Sequence, residues 1–173
     1  VILHIRGGSF LEFFYQCPAP ARWLIRWQLE GAARVIVLSP TWEETVRQIS
    51  PRLHFEVLPN PVALPKDAAV DSSRGAALNF LFLGRLEQAK GVFEAVRAFA
   101  QISGDYPHAR LILAGDGDQA VVENLATELG INEKVVYAGW VSGEAKNRVL
   151  ASAHAFILPS HIEGLPVSML EAM

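Results

Sequence analysis

Seven short runs of aliphatic, β-branched and aromatic residues recur along the chain, at 1–5, 34–38, 55–58, 78–83, 110–114, 135–138 and 155–158. Stretches of helical period separate several of them. Val92, Val96 and Phe99 share one helix face, and Val122, Leu125 and Leu129 share another, following the i, i+3, i+4, i+7 rule. Strands alternating with helices in this way build βαβ units around a parallel sheet. The pattern predicts an α/β fold of Rossmann-like parallel sheets with helices on both faces. The apolar stripes read as core, not as a cofactor box.

The periodicity fails after residue 58. Pro59, Pro61 and Pro65 are followed by Asp67, Asp71, Ser72 and Ser73 with few apolar repeats, which is the composition of a linker. The expected organisation is a first Rossmann-like domain within 1–60, an interdomain linker at 61–77 and a second Rossmann-like domain over 78–173. Neither domain reads as complete. The chain opens directly in a strand and stops inside a helix at Met173, and a sheet without its neighbours exposes edges. The expectation is therefore a piece of a longer chain, cut at its C-terminal end through the second domain and lacking most of the first.

Composition narrows the partners. A hydrophobic share of 51% against 19% charged residues supports a filled core. Fifteen Lys and Arg against 18 Asp and Glu give a formal charge of −3, so there is no general attraction to nucleic acid and any anion site must be local. The single cysteine, Cys17, excludes an internal disulfide and suits a reducing compartment. No signal-peptide pattern is present, and no apolar run nears the roughly 20 residues that cross a bilayer. A cytoplasmic protein, soluble or at the inner face of the membrane, is expected.

The strand at 78–83 runs into Gly84-Arg85-Leu86-Glu87-Gln88-Ala89-Lys90-Gly91 and then a helix. Ligands of open α/β sheets sit at the carboxyl ends of strands, where this loop lies. Arg85 and Lys90 bring two cations there, and Gly91 allows close approach to a helix N-terminus whose free N–H groups favour anions. A diphosphate fits that chemistry, whereas each cation taken alone reads as an ordinary solvated loop residue.

The closing stretch, HIEGLPVSMLEAM, carries Glu163 and Glu171 eight positions apart. Pro166 suits a first helical turn, so a helix is expected from about Gly164 or Leu165. Leu165, Met169 and Ala172 would then form its core face, with Gly164, Val167, Ser168 and Glu171 on the other. A helical rise separates the two carboxylates by roughly 12 Å, too far for the acid pair of a glycosidase, at about 5 to 9.5 Å. The spacing suits one extended ligand: Glu163 on hydroxyls at one end, Glu171 on a diol at the other, and the turn from Gly164 to Val167 on phosphates between.

Gly-Arg-Leu-x-x-x-Lys-Gly after one strand, Ala114-Gly115-Asp116-Gly117 after the next, and Glu163-Gly-Leu-Pro-x-x-x-x-Glu171 at the end resemble the donor half of GT-B glycosyltransferases of the retaining group 1 (GT4) class. HIRGGSFLEFFY and VIVLSPTW resemble more locally those members that build capsular or exopolysaccharides. The resemblance implies that Arg85 and Lys90, with the turn at Gly164, Leu165 and Val167, hold a nucleotide diphosphate. It implies Glu163 beside the donor sugar and Glu171 on the ribose hydroxyls. His4 matches a histidine at a strand end facing the sugar, with Gly7 and Gly8 leaving a ligand room; no role follows for Arg6. The base is expected near Trp140 and Val141, although packing is the default for an indole after a strand. The implied reaction moves a sugar from a nucleotide-diphosphate sugar to a glycan or lipid-diphosphate-linked acceptor, with retention, no metal cofactor and no enzyme nucleophile, in surface polysaccharide synthesis. On its own the fragment is expected to bind nucleotide weakly and turn over nothing.

Some features depart from the pattern or compete with it. A Gly-rich loop near the N-terminus is lacking, and Asn60-Pro61-Val62 stands where many members have Asn-Gly-Val. In ARWLIRWQLE, Arg22 and Arg26 lie one turn apart, as do Trp23 and Trp27. Such a stripe suits a membrane interface or a lipid-diphosphate acceptor, yet packing of its Trp and Leu residues on the first sheet is the simpler expectation. Asp116-Gly117-Asp118 has the form of a metal-binding D-x-D, but Asp118 reads better as a helix cap. Gly115 and Gly117 lack the third glycine of a nicotinamide-binding fingerprint. A GT-B sugar-nucleotide epimerase and a non-catalytic scaffold domain are the remaining alternatives.

Overall fold

The computed structural model describes residues 1–62 and 77–173. Most of the expected linker falls at 63–76, outside the described residues. The chain divides into two compact units, Val1–Pro61 with Ile162–Val167, and Val62–His161 with Ser168–Met173. The stretch 162–167, grouped from sequence with 78–173, thus clusters with the first unit. All seven expected strands form, each within two residues of its expected ends.

The first unit holds a parallel sheet in the order β1-β2-β3, from β1 Ile2–His4, β2 Arg34–Val37 and β3 Phe55–Val57. Helices α1 Phe10–Gln16 and α2 Ala19–Glu30 connect β1 to β2, and α3 Pro40–Arg47 connects β2 to β3. The start of α3 is written locally: the Ser39 hydroxyl accepts the Trp42 N–H, Pro40 takes a first-turn position where no N–H is required, and Glu43 meets the helix dipole. Val35 and Val37, on one side of β2, pack with Phe14, Leu29, Val46, Ile49 and Leu53. Ile25 and Leu29 form the inward stripe of α2. Trp23 and Trp27 turn away from it, 67% and 61% exposed, with their rings stacked at 6.4 Å. The expected packing of these indoles, and of the exposed Leu24, on the sheet is therefore corrected. Two apolar stripes compete on α2, and the core takes the aliphatic one.

The second unit carries four parallel strands in the order β6-β5-β4-β7: β4 Asn79–Leu83, β5 Arg110–Ala114, β6 Val135–Gly139 and β7 Ala155–Phe156. Along β4 the side chains alternate between faces. Phe82 packs with Leu111, Leu113 and the helices α4 Val92–Ile102 and α5 Gln119–Glu128. Leu81 and Leu83 pack on the opposite face with Ala114 and with Val149 and Leu150 of α6 Gly143–Ser152. A sheet covered on both faces explains why these strands read as continuous apolar runs. Burying a side chain such as Phe82 stabilises the fold by about 1.5–3 kcal/mol. The α4 stripe of Val92, Val96 and Phe99 is buried as expected. On α5 the inward stripe is Val122, Leu125 and Ala126; Leu129 lies past the helix end and is 40% exposed.

The last helix, α7 Val167–Ala172, begins later than expected. A residue before proline is pushed away from helical dihedrals, which excludes Leu165, and the Leu165 carbonyl instead accepts the Asn60 side-chain amide at 2.6 Å. The helical rise therefore does not apply across 163–166. Its expected core face is also corrected: Met169 and Ala172 are exposed, while Ser168, Leu170 and Glu171 are half-buried.

Candidate functional site

The loops leaving β4 and β5 at the carboxyl edge of the second sheet are joined through their backbones. Leu86 N–H donates to the Asp116 carbonyl at 2.7 Å, and Asp118 N–H donates to the Leu86 carbonyl at 2.8 Å. Gly115 permits this approach, because at its φ of +153° an added Cβ would overlap the Gly84 carbonyl. The loops so joined carry Arg85, 64% exposed, with nitrogens 3.5 Å from a Glu87 oxygen and 3.9 Å from an Asp116 oxygen. Exposed pairs of this kind are weak, so an anion of higher charge competes for the guanidinium at little cost.

Asp116 thus faces a cation. Asp118 stands at the start of α5, but its side chain makes no capping hydrogen bond, which corrects the role expected of it. Among the described residues no group of three or more His, Cys, Asp or Glu side chains is arranged to hold a metal ion.

Lys90 closes a short 3-10 turn, Gln88–Lys90, and Gly91 follows at φ +73° as the cap of α4. This corner is tied to the segment after β7. His161 N–H donates to the Ala89 carbonyl at 3.1 Å, and the Ser160 hydroxyl donates to the Lys90 carbonyl at 3.4 Å. Glu94, in the first turn of α4, accepts the Gln88 amide at 2.8 Å and lies 3.9 Å from His161. Its own backbone N–H at the helix start, then Gln88, His161 and Arg97, hold its carboxyl below the ordinary range, against a smaller opposing effect of desolvation.

After β6 the chain places Trp140 and Val141 oppositely. Val141 packs on the core face with Leu83 and Ala114, whereas Trp140 is 73% exposed. The default of packing is therefore corrected for Trp140, whose indole is available to a partner. On α7, Glu171 is half-buried and accepts a hydrogen bond from Lys146 Nζ of α6 at 2.5 Å.

The other expected site residues lie in the first unit. His4 ends β1 and is exposed; Glu163 is half-buried within 162–167. The sequence leaves a ligand room at Gly7 and Gly8; the structure does so only in part. Gly7 is open, but an added Cβ at Gly8 would stand 2.8 Å from the Ile162 side chain and 2.9 Å from the Glu163 backbone. The turn after β1 is instead packed on the stretch that carries Glu163 and Gly164. Arg6, which had no role from sequence, anchors that stretch: its guanidinium donates to Asn60 Oδ1 at 2.9 Å, and Asn60 donates to Leu165. Leu165 and Val167 follow in the same unit. Of the expected residues, Arg85, Lys90, Trp140, Val141 and Glu171 thus belong to the second unit, and His4, Glu163, Gly164, Leu165 and Val167 to the first.

An uncharacterized glycosyltransferase of Methanocaldococcus jannaschii is 37% identical over 94 residues, covering 54% of this chain and 24% of that protein. The lipopolysaccharide 1,6-galactosyltransferase of Salmonella typhimurium is 31% identical over 124 residues, covering 69% of this chain and 34% of its own length. The chain thus spans about a quarter to a third of the length of these relatives. Anabaena HepE, solved in complex with UDP, superposes with a TM-score of 0.79 over 99% of this chain and 50% of its own, at 18% identity, a likeness of fold. The family model described as "Glycosyl transferases group 1" matches residues 69–173. With more than half of its length matched and its parallel sheets shared with GT-B structures, the chain belongs to the group 1 glycosyltransferases.

Proposed function

We propose that this chain is the donor-binding part of a retaining glycosyltransferase of the GT4 class, moving a sugar from a nucleotide-diphosphate sugar to a glycan or lipid-linked acceptor in surface polysaccharide synthesis. The observation that carries the reading is the corner at 84–91, where Arg85 and Lys90 stand at the carboxyl edge of a parallel sheet beside the start of α4. When the acceptor oxygen replaces the diphosphate oxygen on the sugar, negative charge grows on the departing nucleotide. Two cations and the helix-start amides stabilise that charge without a metal. Glu171 accepts the ribose hydroxyls, and the exposed Trp140 offers a face on which the base stacks. The sequence resemblance adds Glu163 and His4 as residues for the donor sugar and Gly164, Leu165 and Val167 for the diphosphate. The bond is exchanged on one face of the sugar, so no enzyme nucleophile is used.

The similarity to a lipopolysaccharide galactosyltransferase supports a polysaccharide acceptor, and the likeness to a UDP-bound structure supports a nucleotide donor. A thermal-shift screen of UDP, GDP, ADP and their sugars on the intact protein tests the reading. Stabilisation by at least one family of these is expected, and the product should keep the anomeric configuration of the donor by NMR. Absence of any shift favours a scaffold; an inverted product sinks retention.

A second element of the proposal concerns α2. The stacked, exposed Trp23 and Trp27 beside Arg22 and Arg26 suit contact with a membrane surface or lipid-linked acceptor at its cytoplasmic face. No helix among the described residues is long and apolar enough to cross a membrane, so such contact would be interfacial. Liposome flotation of the intact protein should weaken on replacing both tryptophans by alanine; unchanged flotation removes this part.

A further inference from the structure

Lys146 breaks two local rules at once. It shares the face of α6 that packs on the sheet, one turn before Val149 and Leu150 and two before Ala153, where the stripe calls for an apolar residue. It also places a cation near a helix N-terminus, which the dipole disfavours. Its side chain is only 27% exposed and ends on Glu171, itself 18% exposed, at 2.5 Å. Because α6 follows β6, this pair lies at the carboxyl edge of the sheet. Residues that violate local preference mark functional positions more often than random ones.

We propose that Lys146 and Glu171 together read the ribose diol of the bound nucleotide, making Lys146 a specificity-determining residue of the donor site. The inference rests on the ribose role proposed above for Glu171. A carboxylate only accepts, and an ammonium only donates. Glu171 receives one Lys146 proton on Oε1, which leaves its second oxygen for a hydroxyl hydrogen and leaves two ammonium protons for a hydroxyl oxygen. A hydroxyl both donates and accepts, so it satisfies both partners at once. A deoxy carbon satisfies neither and leaves a half-buried ion pair partly desolvated and unsatisfied. The pair therefore favours ribonucleotides over their 2′-deoxy or 3′-deoxy counterparts.

The test uses the intact protein and whichever of UDP, GDP and ADP binds it most tightly, titrated beside the 2′-deoxy and 3′-deoxy forms. Lys146→Met keeps the stem and removes the ammonium. It should weaken the ribonucleotide roughly tenfold, the loss of one charge-assisted hydrogen bond, while weakening at least one deoxy form much less. The ribo-to-deoxy ratio is measured within each variant, so partial unfolding does not mimic the effect; Lys146→Ala replaces the methionine variant if that one does not fold. An unchanged ratio overturns the inference and leaves Lys146 as a tie between α6 and α7. Glu171→Gln separates the two levels. If it weakens the ribonucleotide while Lys146→Met does not, Glu171 reads the ribose and Lys146 is refuted. If it has no effect, the ribose role of Glu171 falls and this inference with it.

Discussion

Gly91 and Gly130 share a left-handed backbone, at φ +73° and +70°, yet their surroundings differ. Nothing lies within 4 Å of the Cβ that an alanine would add at Gly130. At Gly91 the same atom would overlap the Pro159 carbonyl oxygen and stand 2.6 Å from its carbon, where ordinary contact begins at 3.4 Å. Gly130→Ala should therefore cost only the left-handed penalty, about 1–2 kcal/mol. Gly91→Ala should cost that and a further 1–3 kcal/mol or so of overpacking, because the obstacle is backbone that cannot rotate away. The added term amounts to roughly 4–8 °C of melting temperature for each kcal/mol in a unit of this size. Gly91→Ala should also move Lys90 off its corner and weaken nucleotide binding, whereas Gly130→Ala should leave binding alone. Paired thermal melts and nucleotide titrations check this. Equal destabilisation by the two alanines would refute the claim that the corner is locked against the segment after β7.

Asn60→Ala removes the bridge from Arg6 to Leu165 and should destabilise the intact protein by about 1–2 kcal/mol, two partly exposed hydrogen bonds being lost. Asn60→Asp, which keeps the acceptor for Arg6 but not the donor to Leu165, should fall between; a wild-type denaturation midpoint for the alanine variant would show the bridge to be idle. Acid stability supplies another check. Folding lowers the Glu94 pKa from its ordinary 4.5, so the unfolded chain binds that proton more readily. The stability Glu94 gives is fully present above about pH 4.5 and is lost as pH falls through the lower folded value. Glu94→Gln should flatten this acid limb, and an unchanged slope in urea melts across pH 3 to 6 would contradict the assignment.

Strands were the legible part of this fold. Each is short, apolar and flanked by polar or turn-forming residues, and burial on both sheet faces leaves little ambiguity in a run such as Leu81, Phe82 and Leu83. Helix faces were less legible. On α2 the stripes Ile25/Leu29 and Trp23/Trp27 are both apolar at the same spacing, and only the packed sheet selects between them. The start of α7 is not legible locally: Pro166 suits a first turn, but it keeps Leu165 out of the helix, and the Asn60 amide that takes up the Leu165 carbonyl lies 105 positions away. Arg85 and Lys90 were legible as a cationic corner after a strand. Lys146 was not: a lysine on a helix reads as solvated, and its acid lies 25 positions on, on a different helix.

The proposed function stands or falls on whether the corner at 84–91 holds a nucleotide diphosphate. Isothermal titration of the intact protein with UDP, GDP and ADP tests it most directly when repeated on Arg85→Ala and Lys90→Ala. Binding of at least one of the three is expected, weakened roughly tenfold or more by each alanine, as befits loss of a charge-assisted contact. Binding unaffected by both substitutions, or none by the unaltered protein, would contradict it.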